Sequence, residues 1–133
     1  MAIEERDYSH RSLLDKLGVK PAHRVYVRNV GDDFRKLLAD ALDAEPSTRL
    51  SGDYDLIFVQ IDVPKDFDRV TTLAGHLTPS GGLWLFHPKG KGASPNDGEV
   101  RAAGLAAGLV DNKICAYSAT HTATRYVIPR ARR

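Results

Sequence analysis

YDLIFVQI, at residues 54–61, is the stretch from which the fold class of this 133-residue chain can be inferred. Six of its eight residues are apolar, and they lack the regular polar alternation of a half-exposed strand. Such a run is typical of a strand that is buried on both faces of a sheet. A sheet that is covered on both faces needs helices on either side, so this stretch predicts an α/β fold.

Strand and helix patterns alternate on both sides of this central strand. Further strands are predicted at residues 23–30 and 83–87, and a closing pair is predicted at 110–117 and 125–128. Strands that are joined through helices are expected to run parallel, whereas the closing pair has no helix between its members. We therefore predict a three-layer Rossmann-like sheet of about five or six strands, mostly parallel, with a C-terminal antiparallel pair.

The helices are predicted from apolar residues that recur at helical spacing. They cover residues 32–42, 65–77 and 99–107, and a shorter helix at 13–17 is capped by Ser12 and ended by Gly18. The predicted connections are a very short strand at 48–50, a tight turn at 78–82 and a mobile loop at 88–98.

Composition predicts one globular domain over residues 1–133, with flexible termini at 1–10 and 129–133. No stretch approaches the ~20 apolar residues of a membrane-spanning helix, and the first residues lack the basic and apolar pattern of a signal peptide. The single Cys115 excludes an internal disulfide, so we expect a cytoplasmic protein with Cys115 and Trp84 in its core. The net charge of +2, with the basic tail at 130–133 left in solvent, does not favour nucleic-acid binding.

The order of these elements resembles the fold of the S-adenosylmethionine-dependent methyltransferases. LLDKLGVKP, residues 13–21, followed by Arg24 and Val25, is similar to the approach to the first strand of that fold. LTPSGGLW, residues 77–84, is similar to the L-x-P-G-G turn before its fifth strand. The terminal antiparallel pair fits the same resemblance, which covers most of the chain.

The resemblance fails at the cofactor loop. It implies an acidic residue late in the first strand and then a G-x-G-x-G turn, but the acidic position falls on Val27. The three glycine positions fall on Asn29, Gly31 and Asp33, so two side chains occupy space that the backbone needs for a close approach to a cofactor.

The resemblance also implies a second strand that ends in an acid for the ribose hydroxyls. Only 23 positions lead from Gly31 to Tyr54, and Glu45 lies before Pro46 on no convincing strand. We therefore predict no cofactor, and in particular no S-adenosylmethionine bound in the usual mode.

The C-terminal half resembles a bacterial family that is known only as a domain of unknown function. The shared patterns are LW-x-x-x-PK at residues 83–89, AGL at 107–109 and a closing S-x-x-W-S-x-x-R-x-V. In the last pattern Arg125 and Val127 are present, but His121 replaces the tryptophan. The family has no established activity, so this resemblance supports the fold and does not assign His121 a catalytic role.

Candidate site residues follow from topology, because ligands of open α/β sheets bind beyond the carboxyl ends of the strands. Asp62 and His87 are the candidate acid/base pair, and Lys89 is the candidate contact for an anionic substrate. The remaining candidate ligand-binding residues follow the first strand: Asn29, Gly31 and Asp32. A simpler interpretation stays open, in which Asp62 forms a turn before Pro64 while His87 and Lys89 are solvated loop residues.

Other site types find less support in the sequence. KGKGAS, residues 89–94, lacks the spacing of a phosphate-binding P-loop, although its lysines and flexible amides leave anion binding open. The five histidines are scattered, and none is spaced at i, i+4 on one helix with another, so no metal site is predicted.

Two functions therefore remain after the sequence is considered alone. The favoured one is a degenerate methyltransferase-like domain of unknown function that acts as a binding or interaction module without catalysis. The alternative is a small enzyme that uses Asp62, His87 and Lys89 on an anionic small molecule. Because one side of the sheet is short of strands, we also predict a homodimer that uses that edge or the outer helices.

Overall fold

The computed structural model describes residues 13–133, and within them a five-stranded sheet forms the centre of the molecule. The strands are β1 (Val25–Arg28), β2 (Tyr54–Gln60), β3 (Leu77–Pro88), β4 (Val110–Ala116) and β5 (His121–Val127). Their order across the sheet is β1-β2-β3-β5-β4. β1, β2 and β3 run parallel, and β5 is antiparallel to both of its neighbours, which confirms the predicted class and the C-terminal antiparallel pair.

Three α-helices connect the strands: α1 (Asp32–Ala41), α2 (Val70–Ala74) and α3 (Asp97–Ala106). Residues 13–17 are also helical and end at Gly18, whose φ of 74° is readily adopted only by glycine. The predicted cap Ser12 and the predicted flexible residues 1–10 lie outside the described residues. No helix within residues 13–133 has the length and apolar character to cross a membrane.

The sheet separates two apolar layers. On one face, α2 and α3 cover a cluster that includes Ile57, Leu85 and Tyr126. On the other face, α1 and the helical residues 13–17 cover a cluster of larger rings that includes Phe58 and Trp84. Both faces are therefore covered, as the apolar run of β2 requires.

The predicted helix at 65–77 is wrong in its length and type. The chain forms a 3-10 helix over Pro64–Arg69 and only then the short α2. The Asp66 carboxylate accepts hydrogen bonds from the main-chain N–H groups of Asp62 and Val63, at 2.8 and 3.1 Å, and these contacts tighten the first turn. Leu77 is not helical, since it begins β3 opposite Tyr54.

The predicted tight turn at 78–82 is an irregularity inside β3. Tyr54 pairs with Leu77 and Leu56 pairs with Gly82, so residues 78–81 stand opposite Asp55 alone. A Cβ at Gly81 would lie 3.0 Å from the carbonyl oxygens of Tyr54 and Asp55. This close approach explains why glycine is needed at position 81.

The short strand predicted at 48–50 is replaced by a single β-bridge between Tyr26 and Ser47. Two hydrogen bonds form it: Val27 N–H donates to the Ser47 carbonyl at 2.9 Å, and Ser47 N–H donates to the Val25 carbonyl at 2.8 Å. The Arg24 guanidinium lies 4.2 Å from the centre of the Tyr54 ring and donates to the Asp53 carbonyl. The connection between α1 and β2 is thereby held against the edge of β1 without adding a strand.

β4 forms the opposite edge of the sheet. Its pairing with β5 is interrupted between Asp111 and Lys113, which marks a bulge at Asn112. Most of its side chains are exposed, and Ile114 has an exposed fraction of 65%. Cys115 is only partly buried, so it packs against the core rather than within it.

Residues 130–133 of the C-terminal tail are exposed to solvent, as predicted, and they also make hydrogen bonds with the rest of the chain. Arg130–Arg132 form a 3-10 turn that follows Pro129. The Arg132 guanidinium donates to the Gly108 carbonyl at 2.5 Å, and Arg133 Nε donates to the Ile128 carbonyl at 2.8 Å. These contacts place the tail against the turn that precedes β4.

Candidate functional site

Asp62 follows β2 at the carboxyl edge of the parallel strands, where it pairs with His121. Asp62 Oδ1 lies 2.7 Å from His121 Nε2, and Asp62 Oδ2 accepts a hydrogen bond from Gln60 Nε2 at 2.8 Å. His121 reaches this edge because β5 begins there, opposite Pro88 at the end of β3. The predicted pairing of Asp62 with His87 is therefore wrong, because His121 is the imidazole that contacts this carboxylate.

The second ring nitrogen of His121 contacts a hydroxyl group. His121 Nδ1 lies 2.8 Å from Thr120 Oγ1, and Ser118 Oγ accepts the main-chain N–H groups of Thr120 and His121. A carboxylate only accepts hydrogen bonds, so Nε2 of His121 carries a proton and the neutral ring accepts from Thr120 at Nδ1. The side chain of His121 is 17% exposed and that of Asp62 is 44% exposed, so a ligand can reach the pair.

Asn29 and Gly31 lie at the end of the neighbouring strand β1. Asn29 has a φ of 61°, and its side-chain amide donates to the Gln60 carbonyl at 3.1 Å, across the ends of β1 and β2. Gly31 precedes the first turn of α1, and a Cβ there would meet no heavy atom within 4 Å. Asp32 is exposed and lies 3.7 Å from Arg35, so it belongs to the outer surface of α1.

Lys89 is connected to the same edge through its main chain. Its N–H donates to the Thr120 carbonyl at 3.1 Å, which places the start of the 89–96 loop beside the turn that precedes His121. The structure thus brings together Asn29, Asp62 and the backbone of Lys89, and it adds His121, which the sequence analysis did not select.

His87 is buried, with an exposed fraction of 1%, so it is not the solvated loop residue of the simpler interpretation. Its Nε2 lies 2.9 Å from Thr124 Oγ1. Its Nδ1 lies 3.4 Å from Asp97 Oδ1 and makes no hydrogen bond with the described residues. Because a carboxylate faces Nδ1, the favoured neutral tautomer has its proton there, and the Thr124 hydroxyl donates to Nε2.

Burial lowers the pKa of His87, and the carboxylate of Asp97 only partly opposes this shift. Between the ordinary histidine pKa of 6.5 and the lowered pKa of His87, the unfolded chain binds a proton that the folded protein does not bind. The contribution of His87 to stability is therefore complete above pH 6.5 and is lost as the pH falls through its lowered pKa in the folded protein.

We expect the wild-type protein to lose stability more steeply than His87→Gln between pH 7.5 and pH 5.5. Urea-unfolding midpoints of the two proteins across this pH range measure the difference in stability. Groups that titrate in both proteins contribute equally to both, so their effects cancel in the comparison. Equal slopes would show that His87 does not resist protonation in the folded state.

A cavity of about 370 Å³ opens beside His87, between α3 and β4. Arg101 and Asp111 both line it, with Arg101 Nε 3.5 Å from Asp111 Oδ1, and Ile114 contributes an exposed apolar wall. Burial and the nearby Asp111 raise the pKa of Tyr126 to about 12, so its hydroxyl stays protonated at this cavity.

The histidines within residues 13–133 make contacts other than metal coordination. Within residues 13–133 no three His, Cys, Asp or Glu side chains are placed to hold a metal ion together. His23 Nδ1 accepts the main-chain N–H of Lys20, and His76 Nδ1 lies 2.7 Å from the Gly52 carbonyl. Both of these histidines therefore contact the main chain of connecting segments.

Solved structures of methyltransferases share this fold. A methyltransferase from Pyrococcus furiosus matches with a TM-score of 0.56 at 11% identity, over 90% of this chain and 81% of its own. The magnesium protoporphyrin IX methyltransferase of Synechocystis PCC 6803, solved with bound S-adenosylmethionine, gives 0.57 at 10% identity, over 93% and 78%. A protein from Thermoplasma acidophilum that is assigned as a methyltransferase gives 0.61 at 12% identity, over 84% and 71%.

At these identities the likeness shows the fold alone, which is the methyltransferase-like Rossmann fold that the sequence predicted. No family model and no curated protein matches the chain. The resemblance to the bacterial family of unknown function therefore stays a prediction.

Proposed function

We propose that this chain is a methyltransferase-like domain that acts as a binding or interaction module and does not hold S-adenosylmethionine in the usual mode of that fold. The observation that carries the proposal is how the chain pairs along the outer side of β1, the edge strand of the sheet. There the connection between α1 and β2 makes one β-bridge, at Ser47, in place of the strand that would carry an acid for the ribose.

The side chains around this edge support the same conclusion. Val27 is buried, with an exposed fraction of 2%, where the resemblance implies an acidic residue. Asn29 extends its amide to the Gln60 carbonyl, so a side chain occupies the crevice between the ends of β1 and β2. A cofactor that bound between these strands would have to displace this contact.

Isothermal titration of the full chain with S-adenosylmethionine and S-adenosylhomocysteine tests the proposal. We expect no heat beyond dilution at ligand concentrations up to about 1 mM. At these concentrations a binding free energy more favourable than about −4 kcal/mol is detectable. The magnesium protoporphyrin IX methyltransferase of Synechocystis is the positive control, since its structure holds the cofactor. Saturable binding in the micromolar range would refute the proposal.

A second candidate function is favoured by the contact between Asp62 and His121. A partly exposed imidazole between a carboxylate and a hydroxyl is suited to general acid/base catalysis, and Lys89 begins a basic loop beside it. This is the small-enzyme alternative, with His121 in the acid/base role that was predicted for His87. Hydrolysis of p-nitrophenyl phosphate that His121→Ala abolishes would favour this function over the first.

A further inference from the structure

A second cavity, of about 250 Å³, lies at the end of the sheet where the parallel strands begin, away from the carboxyl ends that carry Asp62. It lies at the amino ends of β1 and β2, beside His23 and Asp55, and at the end of β5, beside Arg125. Lys113 of β4 closes one side, and Trp84 and Leu56 lie behind it. This cavity is separated by the length of the strands from Asp62 and His121.

The stretches that the sequence analysis compared with known families meet at this cavity. Residues 13–21 contribute Lys16, and residues 77–84 contribute Ser80, Gly81 and Trp84. The closing pattern contributes Arg125. The proposed function at the carboxyl edge gives none of these residues a role.

Positive charge dominates the lining of the cavity. Lys16, Lys113 and Arg125 are cationic, and none of them forms an ion pair with another residue in 13–133. Asp55 is the one carboxylate among the lining residues, and its Oδ2 already accepts the main-chain N–H of Arg24 at 2.8 Å. The lining thus has a formal excess of two positive charges when His23 is neutral.

The cationic groups are held in place by contacts of the fold. The Arg125 guanidinium lies over Gly82, where any Cβ would overlap it, so the glycine provides the room for this side chain. Lys113 Nζ donates to the Lys16 carbonyl at 2.6 Å. His23 accepts a hydrogen bond at Nδ1, so the neutral ring carries its proton on Nε2, which is a donor.

Burial is costly for an arginine that has no anionic partner among residues 13–133. Arg125 is half-buried, and burial together with the nearby Arg133 lowers its pKa. A bound anion would relieve both effects, because it would supply the charge that the surrounding residues do not supply.

We propose that this cavity binds the phosphate group of a phosphorylated small molecule. A phosphomonoester carries a charge of about −1.5 to −2 at pH 7, which matches the excess of positive charge among the lining residues. Its oxygens accept several hydrogen bonds, and arginine, two lysines, the histidine Nε2 and the Ser80 hydroxyl are the available donors. The site goes beyond the function proposed for the carboxyl edge and shares no residue with it.

Titration of the ¹⁵N-labelled full chain with inorganic phosphate, at constant ionic strength set with sodium chloride, tests the proposal. We expect saturable NMR shifts of the Gly81 amide and the Trp84 indole N–H, with a dissociation constant of about 1 mM. Lys113→Gln should weaken binding about tenfold, because it removes one charge-assisted hydrogen bond. Lys65→Gln, which removes an exposed lysine outside this cavity, is the matched control and should bind like the wild type.

The proposal is overturned if phosphate produces no saturable shift, or if Lys113→Gln and Lys65→Gln bind phosphate equally well. Lys16→Gln gives an independent test, since the contact of Lys113 is with the main-chain carbonyl of residue 16 and survives this change. Shifts confined to Asn29 and Gly31 would also contradict this site. Titration with S-adenosylmethionine reports on the carboxyl ends of the parallel strands, so the two proposals can fail separately.

Discussion

Replacing Trp84 with alanine is expected to lower the free energy of unfolding by about 3–5 kcal/mol. The side chain has an exposed fraction of 0% and belongs to the apolar cluster beneath α1 and the helical residues 13–17. Its indole N–H donates to the Leu17 carbonyl at 3.1 Å, so the ring also ties that helical segment to β3. The substitution removes both the packed ring and the partner of a carbonyl at a helix end.

Urea unfolding of the variant, followed by circular dichroism, measures this loss. Trp84→Phe is the informative control, because it keeps an aromatic ring and removes only the indole donor, at a cost of about 1–3 kcal/mol. If Trp84→Ala and Trp84→Phe lower the free energy of unfolding by the same amount, then the hydrogen bond of the indole, and not the packing of the ring, accounts for most of the loss. A loss below about 1 kcal/mol in Trp84→Ala would contradict the burial of this residue.

Replacing Gly104 with alanine is expected to destabilise the protein by about 1–3 kcal/mol, although alanine favours helices over glycine by about 1 kcal/mol. The reason is the contact between α3 and the sheet. A Cβ at Gly104 would overlap the ring of Tyr126, which is itself 1% exposed and fixed within β5. The helix would have to move away from the sheet to accept the methyl group.

Gly98→Ala is the matched control for this prediction, since it makes the same chemical change in the same helix. A Cβ at Gly98 would meet only Asn96 Oδ1, at 3.4 Å, which is an ordinary contact distance. We therefore expect Gly98→Ala to leave the free energy of unfolding unchanged or to raise it by up to about 1 kcal/mol. Thermal and urea unfolding of Gly98→Ala and Gly104→Ala give the comparison. Equal changes in stability would exclude the close packing of Gly104 on Tyr126.

The fold class was predictable because it depends on local patterns that tertiary contacts reinforce. The apolar run at 54–61 becomes β2, and apolar spacing from Phe34 to Leu42 becomes the inner side of α1. The segment 65–77 has similar spacing, yet it forms a 3-10 helix, the short α2 and the first residue of β3. There the capping contact of Asp66 and the pairing of Leu77 with Tyr54 override the helical pattern.

The site was harder to predict because its central contact depends on strand register. Asp62 meets His121 only because β5 begins opposite Pro88, four residues before the strand start that the sequence indicated. The burial of His87 could have been foreseen, since Leu83, Leu85 and His87 alternate onto one face of β3. The proximity of Asp97 depends on α3, which begins after the loop at 89–96 and is not fixed by local sequence.

The bulge in β4 has a consequence for the behaviour of the protein at high concentration. A straight, apolar edge strand would offer unpaired main-chain groups to another molecule and promote sheet extension and aggregation. Asn112 interrupts the regular pairing at the middle of β4, and Lys113 places a charge beside the exposed Ile114. We therefore expect this edge to resist open-ended polymerisation, so that Lys113, the lysine of the proposed phosphate site, would also oppose sheet extension.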